Sequence, residues 1–474
     1  MKTINQIYID GRFVTPHGTE TLELINPTTK KIDSVVTLGD VKDTQDAIAA
    51  AKTAFQTYSQ STLEQRAEYL DRLHKVVEKR SKDLLDVMIQ EYGGPTMISK
   101  NTTRRASEAF LNAKEVMLKF PFKQSVGGAK VSMEPLGVVG IITPWNASNS
   151  FISNKLAFAL AAGSTVVIKP SELSAAQTQI LLEAYHAADL PPGLFNLVNG
   201  RGDVVGAEIT RHPDIAKITF TGSTVVGKAI ARGAVDTLKR VTLELGGKSP
   251  NILLDDADFE KAVPLAVSAA YINSGQACVA GTRLFVPEKK LDEVKKLIVK
   301  AVQAVKTGDP KDPNTQIGPM VTQKQFERVQ SYIHLGIQEG AELLIGGEGT
   351  PAGLESGYFV KPTVFVGVTN DMRIAREEIF GPVLSILTYK SEEEAIRMAN
   401  DTDYGLQAYV SSTNLERANK VASQIVAGRV FINGLYDEPF APFGGFKQSG
   451  LGREFGHYGL EAYLEPKATV GSNK

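Results

Sequence analysis

The chain contains a single cysteine, Cys278, within the glycine-rich stretch 274-SGQACVAGTR-283. A cysteine thiolate is a strong nucleophile, whereas a lone thiol in apolar surroundings behaves as a small hydrophobic residue. Cys278 does not lie in an apolar run, and the nearby Gly275 permits a close approach of the backbone to a ligand. Two interpretations therefore remain at this point, a nucleophile and an inert thiol, and the neighbouring segments decide between them.

Two further polar residues have the character of catalytic groups. Glu244 interrupts the apolar run 241-VTLEL-245 directly before two glycines. Burial raises the pKa of such a carboxylate and suits it to act as a general base. Asn146 ends the stretch 143-TPWN-146, beside the only tryptophan, Trp145. A fixed amide can donate to a developing oxyanion, although a loop asparagine is also a common turn residue.

Three segments have the composition of a nucleotide site. In 166-VVIKPSE-172, Lys169 and Glu172 follow a strand, where parallel sheets bind ligands, so the two side chains can bracket a ribose. The alternative is a solvated cation and a helix-capping acid. The turns 200-GRGDVVG-206 and 219-TFTGSTVVGKAI-230 each join a strand to a helix, where backbone N–H groups bind phosphate. Neither has the standard glycine spacing, so an ordinary strand–helix turn is an alternative for both.

Composition excludes several classes of protein. The 474 residues include 52 Lys and Arg against 53 Asp and Glu, and this balance predicts no nucleic-acid or anionic-membrane partner. The stretch 1-MKTINQIYIDGRF-13 lacks the apolar core of a secretory signal, and one cysteine cannot form an internal disulfide. We therefore expect a cytoplasmic location. The apolar run 156–168 is too short and too interrupted for a membrane helix.

The six histidines are scattered singly, without metal-ligand spacing, so we expect no metal site. A histidine that approached Cys278 in the folded chain would instead provide the base of a cysteine hydrolase. The sequence leaves that alternative open.

Apolar runs of strand length alternate with helical segments, which predicts α/β architecture with parallel sheets. Helices dominate the first third of the chain, and Ser61 with Glu64 has the pattern of a capping box. A first strand series comprises 138–142, 165–169, 194–198, 217–221 and 241–245. A second comprises 282–286, 383–387, 407–411 and 429–433. Two α/β domains are therefore predicted, with a hairpin over 120–135 about Gly127 and Gly128 and a C-terminal strand within 462–474.

Together the motifs resemble those of the NAD(P)-dependent aldehyde dehydrogenase superfamily. The matching stretches, in family order over nearly the whole chain, are TPWN, KPSE, FTGS, LELGGK, GQAC, 377-EEIFGP-382 and 442-PFGGFKQSGLGRE-454. The resemblance implies that Cys278 is the nucleophile, Glu244 the general base and Asn146 the oxyanion-hole amide. It also implies NAD as the cofactor, with NADP as a possibility, and a small-molecule aldehyde as the substrate.

The resemblance implies a set of cofactor contacts. These are Thr143, Trp145, Lys169, Glu172, Gly202, Gly222, Ser223, Glu378 and Phe380. Lys169 and Glu172 correspond to the ribose-binding pair and Ser223 to the pyrophosphate contact. Gly202 corresponds to a backbone contact near the adenine, and Glu378 with Phe380 to the nicotinamide side.

The family fold implies three parts. Residues 1–119 and 136–245 form a cofactor-binding domain, and residues 246–459 form a catalytic domain. Residues 120–135 and 460–474 form an oligomerisation element of a homodimer or homotetramer.

The implied chemistry is attack of Cys278 on the aldehyde, oxidation of the thiohemiacetal to a thioester, and hydrolysis by water that Glu244 activates. One alternative is a dehydrogenase that transfers the acyl group to coenzyme A and needs no hydrolytic base. Another is a structural or binding relative without catalysis. The chain departs from many relatives in 146-NASNSF-151 and in the residues beside Cys278. An apolar substrate pocket with an added polar group is predicted, formed by Asn149, Phe151, Val279, Phe440 and Phe443.

Overall fold

A computed structural model describes residues 2–471, so Met1 and the last three residues of the predicted 460–474 element lie outside the described residues. The strands are β1 (Lys2–Ile4), β2 (Ile7–Ile9), β3 (Arg12–Val14), β4 (Thr21–Ile25), β5 (Ile32–Thr37), β6 (Lys123–Val126), β7 (Ala129–Pro135), β8 (Val138–Ile142), β9 (Thr165–Lys169), β10 (Phe195–Leu197), β11 (Ile215–Thr221), β12 (Arg240–Glu244), β13 (Pro250–Leu253), β14 (Arg283–Pro287), β15 (Glu342–Ile345), β16 (Thr363–Val366), β17 (Val383–Tyr389), β18 (Gln407–Ser411), β19 (Arg429–Ile432), β20 (Gly450–Leu451) and β21 (Leu464–Val470). The α-helices are α1 (Val41–Tyr58), α2 (Leu63–Lys79), α3 (Ser81–Glu91), α4 (Thr96–Lys119), α5 (Ser148–Ala162), α6 (Ala175–His186), α7 (Ala207–Arg211), α8 (Thr224–Ala234), α9 (Phe259–Ala270), α10 (Leu291–Gln303), α11 (Gln323–Gln338), α12 (Arg373–Arg376), α13 (Glu392–Asn400), α14 (Leu415–Ala422) and α15 (Gly456–Glu461).

The first large sheet has eight strands in the order β20-β12-β11-β8-β9-β10-β2-β3. Its five central strands are parallel, and β20, β2 and β3 join antiparallel at the edges. The chain runs from β8 outward to β9 and β10 on one side, then returns to β11 and β12 on the other. The strand order therefore reverses between β8 and β11, which is where doubly wound sheets bind nucleotides.

The second large sheet has seven strands in the order β15-β16-β17-β14-β13-β18-β19. All neighbours are parallel except the antiparallel pair β15 and β16. Parallel strands need both faces covered, and β14 and β18 are accordingly buried along their whole length. The predicted α/β class is confirmed by two mainly parallel sheets.

Two small sheets complete the fold. One comprises β1, β5 and β4, and the other has the order β21-β7-β6. In the second sheet the predicted hairpin is present, and β21 pairs antiparallel with β7 from Leu464 opposite Pro135 to Val470 opposite Ala129. The predicted C-terminal strand therefore pairs with the hairpin of its own chain.

The sequence reading misses several short strands, because runs of three to five residues give little periodicity. Five strands, β1 to β5, precede the first helix. The predicted capping box is wrong by one residue: Thr62 caps α2 and forms the box with Gln65. Ser61 instead accepts a hydrogen bond of 2.9 Å from Nε of Arg66.

Helix α5 connects β8 to β9 and lies within the largest core cluster. Its residues from Leu156 to Ala162 are all buried, because the helix has no polar stripe and packs between α4 and the first sheet. This buried helix begins two residues after Asn146, so the core fixes the backbone on which that amide stands.

Candidate active site

The carboxyl ends of four neighbouring strands lie at one edge of the first sheet. Ile142 of β8 stands opposite both Lys169 of β9 and Phe220 of β11, and Thr221 stands opposite Glu244 of β12. The stretches that follow these strands carry most of the predicted cofactor residues. This register places them along one crevice where the strand order reverses.

Lys169 and Glu172 form an ion pair of 2.9 Å between Nζ and Oε2. Glu172 begins a 3-10 turn that Ser171 caps through the backbone N–H of Leu173. Burial opposes the charged form of Glu172, but the Lys169 ammonium outweighs it, and the pKa of Glu172 is lowered. The carboxylate is therefore charged and fixed, as a hydrogen-bond acceptor for ribose hydroxyls must be.

Ser223 is the N-cap of α8, and its hydroxyl accepts from the backbone N–H of Val226 at 3.4 Å. The first turn of that helix leaves backbone N–H groups free for an anion. At Gly222 a Cβ would lie 2.4 Å from the Phe220 ring, so the turn has room only for glycine. Val225 is 79% exposed at the same turn, a large apolar residue that a flat ligand could cover.

Gly202 lies exposed at the start of the π-helical turn Gly202–Gly206. A Cβ there would meet nothing within 4 Å, so the structure places this residue on open surface. Thr143 is buried, its backbone N–H donates to the Lys169 carbonyl at 3.1 Å, and its hydroxyl oxygen has no partner. An unpartnered buried hydroxyl is a donor available to a bound ligand.

The loop before Cys278 has three successive residues in the left-handed region. Their φ angles are 53° at Asn273, 61° at Ser274 and 73° at Gly275. Such a conformation is costly for the two residues with side chains and persists only where surrounding contacts hold it. A Cβ at Gly275 would lie 2.2 Å from the Gly381 carbonyl carbon, so close packing on 377-EEIFGP-382 requires glycine.

Buried hydrogen bonds hold this loop in place. The Ser274 hydroxyl accepts from the backbone N–H of Gly318 at 2.9 Å. The Gln276 side chain accepts from Val321 N–H at 3.0 Å and donates to the Tyr92 hydroxyl at 3.3 Å. The loop conformation is thus fixed by side-chain contacts to two distant segments.

Asn146 is buried, and its Nδ2 donates to the Gln276 carbonyl at 2.9 Å. In the other direction, Nδ2 of Asn273 donates to the Asn146 carbonyl at 3.0 Å. An amide nitrogen has two hydrogens, so Asn146 keeps one donor for a further acceptor. The structure therefore brings Asn146 and the Cys278 loop together.

Cys278 is half-buried. Burial, followed by the negative charges of Glu378 and Glu244, raises the pKa of the thiol to about 12. At neutral pH the sulfur therefore carries its proton, and an acceptor for that proton is required before attack.

Glu244 is 2% exposed at the end of β12, and neither carboxyl oxygen has a hydrogen-bond partner. Burial, followed by the charge of Glu454, raises the pKa of Glu244 well above its ordinary value. A Cβ at Gly444 would lie 2.7 Å from Glu244 Oε1, so the stretch 442-PFGGFKQSGLGRE-454 forms one wall of the pocket around Glu244. A carboxylate without partners and with a raised pKa has the properties of a proton acceptor.

The two residues predicted on the nicotinamide side, Glu378 and Phe380, belong to the stretch 377-EEIFGP-382. Glu378 Oε1 accepts from the Gly247 N–H at 3.1 Å, and a Cβ at Gly247 would meet the Cys278 carbonyl at 2.3 Å. Burial raises the pKa of Glu378 to about 7. Phe380 has a φ of 64°, and its ring meets the Trp145 ring edge-on with centroids 5.5 Å apart. Glu378 therefore bonds the glycine that packs against the Cys278 carbonyl, and Phe380 contacts the tryptophan beside Asn146.

A buried ion pair near Glu244 was not predicted from the sequence. Lys155 of α5 contacts Glu454, and its Nζ also donates to the Thr219 hydroxyl at 3.1 Å. Both side chains are nearly inaccessible. The sequence does carry a signal, since Lys155 is the only charged residue of α5 and Glu454 ends the last matching motif.

The histidines lie elsewhere. Their partners include Asp40 for His17, Ser107 for His74 and Tyr8 for His186, and none of the six donates to or accepts from Cys278. The geometry gives no support to a cysteine–histidine hydrolase. Within residues 2–471, no group of three or more His, Cys, Asp or Glu side chains has an arrangement that could hold a metal ion. Nor does any helix of that range have the length and apolar character needed to cross a membrane.

Comparison with known proteins gives matches over nearly the whole chain. The model of the aldehyde dehydrogenase family matches residues 13–469. The 3-succinoylsemialdehyde-pyridine dehydrogenase of a Pseudomonas species is 45% identical over 474 residues, and the match covers 99% of each chain.

Two solved structures are similar in fold. One is a cysteine-to-alanine variant of aldehyde dehydrogenase C from Pseudomonas syringae with NAD+ and octanal, with a TM-score of 0.97, 45% identity and coverage of 98% of this chain and 96% of that one. The other is betaine aldehyde dehydrogenase from Staphylococcus aureus with NAD+, with a TM-score of 0.96, 34% identity and coverage of 99% and 95%.

These matches confirm the predicted resemblance, the fold class and the class of function, NAD-dependent oxidation of an aldehyde. The chain belongs to the aldehyde dehydrogenase family.

Proposed function

We propose that the chain oxidises an aldehyde to a free carboxylic acid in two stages at Cys278, with Glu244 as the hydrolytic base. The supporting observation is the buried Glu244 carboxyl, which has no hydrogen-bond partner and whose charge raises the thiol pKa. A dehydrogenase that transfers its acyl group to coenzyme A needs no such base, so this residue disfavours the acylating alternative.

In the first stage the sulfur of Cys278 attacks the carbonyl carbon while the thiol proton passes to Glu244, directly or through water. The carbonyl double bond becomes a single bond, and its oxygen gains negative charge. The free N–H of the Asn146 amide and the backbone N–H of Cys278 donate to that oxygen. Because Asn146 also binds the loop before Cys278, donor and nucleophile keep a fixed relation.

The residues of the crevice fit NAD: the charged Glu172 for ribose hydroxyls, the Ser223 helix terminus for the pyrophosphate, and Trp145 and Phe380 beside the nicotinamide. Bound NAD+ supplies the two-electron acceptor for the oxidation, which leaves a thioester on Cys278.

In the second stage Glu244 removes a proton from water, and the water oxygen attacks the thioester carbon. The same two N–H groups stabilise the oxyanion. The carbon–sulfur bond then breaks, the acid leaves, and the sulfur recovers a proton. Burial raises the pKa of Glu244, which favours its taking the thiol proton. Between the stages Glu244 releases that proton to solvent water, so that its carboxylate can accept the second one.

We assign the substrate pocket to Asn149, Phe151, Val279, Phe440 and Phe443. Asn149 is buried, and its Nδ2 has no partner, which supplies the added polar group. Phe440 is 42% exposed and Phe443 is partly buried, as expected for residues that line an open channel. Octanal in the Pseudomonas syringae structure supports an apolar aldehyde as the substrate.

We further propose a cytoplasmic enzyme that prefers NAD to NADP, with the three-part division of the chain predicted from the sequence. Strand β20 of the predicted catalytic segment pairs with β12, so the two large parts share a sheet edge beside Glu244. The sheet of β21, β7 and β6 supports a homodimer or homotetramer, because β6 is exposed throughout and forms an unpaired edge.

The test is incubation of the purified protein with NAD+ and a panel of neutral, aromatic and charged aldehydes, followed by the absorbance of the reduced cofactor. The acid product is identified with and without coenzyme A. We expect free acid in both cases. Formation of an acyl-coenzyme A would favour the acylating alternative, and no turnover by any aldehyde would favour the non-catalytic one. Cys278→Ala is the control for activity from a contaminant.

A further inference from the structure

Residues 434–443 follow β19, and one acidic residue of this segment, Asp437, binds two arginines at once. Asp437 Oδ2 accepts from Arg104 Nη2 at 2.8 Å and from Arg105 Nε at 3.1 Å. Its other oxygen, Oδ1, lies 3.1 Å from Nη2 of Arg105. Both arginines belong to α4, so this cluster connects two distant parts of the chain.

The 434–443 segment leads from that cluster to the catalytic pocket. Arg429 of β19 donates to the Pro442 carbonyl at 2.9 Å and to the Glu438 carbonyl at 3.1 Å. Its guanidinium also lies 5.2 Å from the ring centroid of Phe443. The next residue, Gly444, is the one that forms a wall beside Glu244. Continuous contacts therefore run from Asp437 to the Glu244 pocket.

Helices α4 and α5 connect the Asp437 cluster to the residues that follow Asn146. Helix α4 carries the two arginines and packs on α5. Helix α5 begins just after Asn146 and carries Asn149 and Phe151 of the assigned pocket. The cluster thus connects the segment that carries Phe440 to α4, which packs on α5. From this connection we place the cluster at the outer end of the assigned channel.

The charges of this cluster affect which aldehyde tails it can bind. Arginine is always protonated in proteins and binds carboxylates with its planar fork, so two adjacent arginines are a potential carboxylate site. Here Asp437 occupies both, and Glu108 also contacts Arg104. Two carboxylates balance the charge of the two guanidinium groups, and the N–H donors that bond Asp437 and Glu108 are not available to another acid.

We propose that Asp437 is a specificity-determining residue that blocks Arg104 and Arg105 from binding a carboxylate, so that the channel admits aldehydes with a neutral tail. An aldehyde with a terminal carboxylate would have to displace Asp437 and would meet it with like charge. This inference rests on the proposed function and adds the class of aldehyde.

The test compares pentanal with 5-oxopentanoate in the full-length protein, using Asp437→Asn. The variant keeps the shape of the side chain and removes its charge. We expect the ratio of kcat/KM for 5-oxopentanoate to that for pentanal to rise about 2-fold to 5-fold, the range for a partly exposed ion pair. The gain should decrease in about 0.5 M NaCl, because salt screens exposed charges.

Two controls define the source of the gain. Adding Arg104→Gln and Arg105→Gln to Asp437→Asn should abolish it, because the binding groups are then absent. Asp312→Asn removes an acid that pairs with Lys306 at a distance from the channel, and it should leave the ratio unchanged. Asp437→Ser removes the same charge by a second route, and melting temperatures establish that each variant is folded.

The outcomes separate the two proposals. No turnover of pentanal by the parent protein would contradict the proposed substrate, whatever Asp437 does. Turnover of pentanal with an unchanged ratio in both Asp437 variants would overturn the inference. So would an equal loss with both aldehydes, because the ion pairs would then serve only to hold the 434–443 segment.

Discussion

The side-chain amide of Asn146 donates a 2.9 Å hydrogen bond to the main-chain oxygen of Gln276, two residues before Cys278. The bond connects the end of β8 in the first sheet to the loop that carries the nucleophile. The same side chain can therefore orient that loop with one N–H and stabilise the reacting oxygen with the other. An oxyanion donor held in this way needs no rearrangement when the charge develops.

Asn146→Ala should lower kcat about 10²-fold to 10³-fold, the range for loss of one oxyanion-hole donor. The KM for the aldehyde should change little, because the donor acts mainly on the transition state. Steady-state kinetics with NAD+ and the best aldehyde of the panel measure both. A matched control is Asn196→Ala, which removes a buried amide of the same sheet away from the site. A kcat within threefold of the parent would contradict the role of Asn146.

Glu172 should set the preference for NAD over NADP. The carboxylate is charged, because the Lys169 pair lowers its pKa, and it would repel a 2'-phosphate. Glu172→Gln should lower the ratio of kcat/KM for NAD to that for NADP about 10-fold. Glu183→Gln, which removes a surface acid of α6 paired with Arg80, should leave the ratio unchanged. Equal use of NADP by the parent would contradict this assignment.

The candidate catalytic residues could be singled out from the sequence because each has a local signal. Glu244 is an acid within an apolar strand, Cys278 is a lone thiol in a glycine-rich loop, and Asn146 ends a strand. Parallel strands place the residues at their carboxyl ends along one edge of the sheet, and Thr221 accordingly stands opposite Glu244 there. The roles of these residues stay predictions.

Contacts between side chains that are distant in the sequence could not be predicted. Arg104 and Asp437 are 333 positions apart, and each resembles any other exposed charge in the sequence. Gln276 likewise shows nothing in its residue type of the bonds that hold the Cys278 loop. Such partners depend on how distant parts of the chain meet in the fold, which periodicity and local motifs do not encode.

Glu91 should make the stability of the protein depend on pH. This buried carboxyl ends α3 and accepts from the Ala176 and Gln177 N–H groups at the start of α6. Burial raises its pKa from 4.5 to about 7. An acid with a raised pKa in the folded state favours folding below its unfolded pKa, and this contribution is lost as pH rises from about 4.5 through 7.

The measurement is the melting temperature of the parent and of Glu91→Gln between about pH 5 and pH 8. Because the variant cannot ionise, its melting temperature relative to the parent should rise with pH over that interval. Glu64→Gln is an exposed control that should run parallel to the parent. A constant difference between parent and Glu91→Gln would show that Glu91 does not titrate there.

The parent protein should have two or four times the mass of one chain by light scattering. The exposed edge β6 and the end of β21 carry Val126 and Val470, which are 55% and 81% exposed. Charged residues on edge strands oppose pairing, so Val126→Lys with Val470→Lys should shift the mass toward one chain. Val235→Lys, at a valine that is 64% exposed on another surface, should not. A monomeric parent would contradict the proposed assembly.

Glu244→Gln should separate the two stages of the reaction. Attack and oxidation need Cys278, whereas hydrolysis needs activated water, so the variant should form the thioester once and then stop. We expect a burst of reduced cofactor of up to about one equivalent per site, followed by a steady rate about 10²-fold to 10⁴-fold lower. Cys278→Ala should show neither phase.

An intact-protein mass spectrum after the burst should show one acyl group on the protein, and peptide mapping should place it at Cys278. Because the thiol proton passes to Glu244 in the proposed first stage, the burst itself should be slower than in the parent, but the adduct should still accumulate, because water activation is lost as well. Turnover of Glu244→Gln at the parent rate would remove the hydrolytic role from Glu244. Release of the acyl group only on addition of coenzyme A would then favour the acylating alternative.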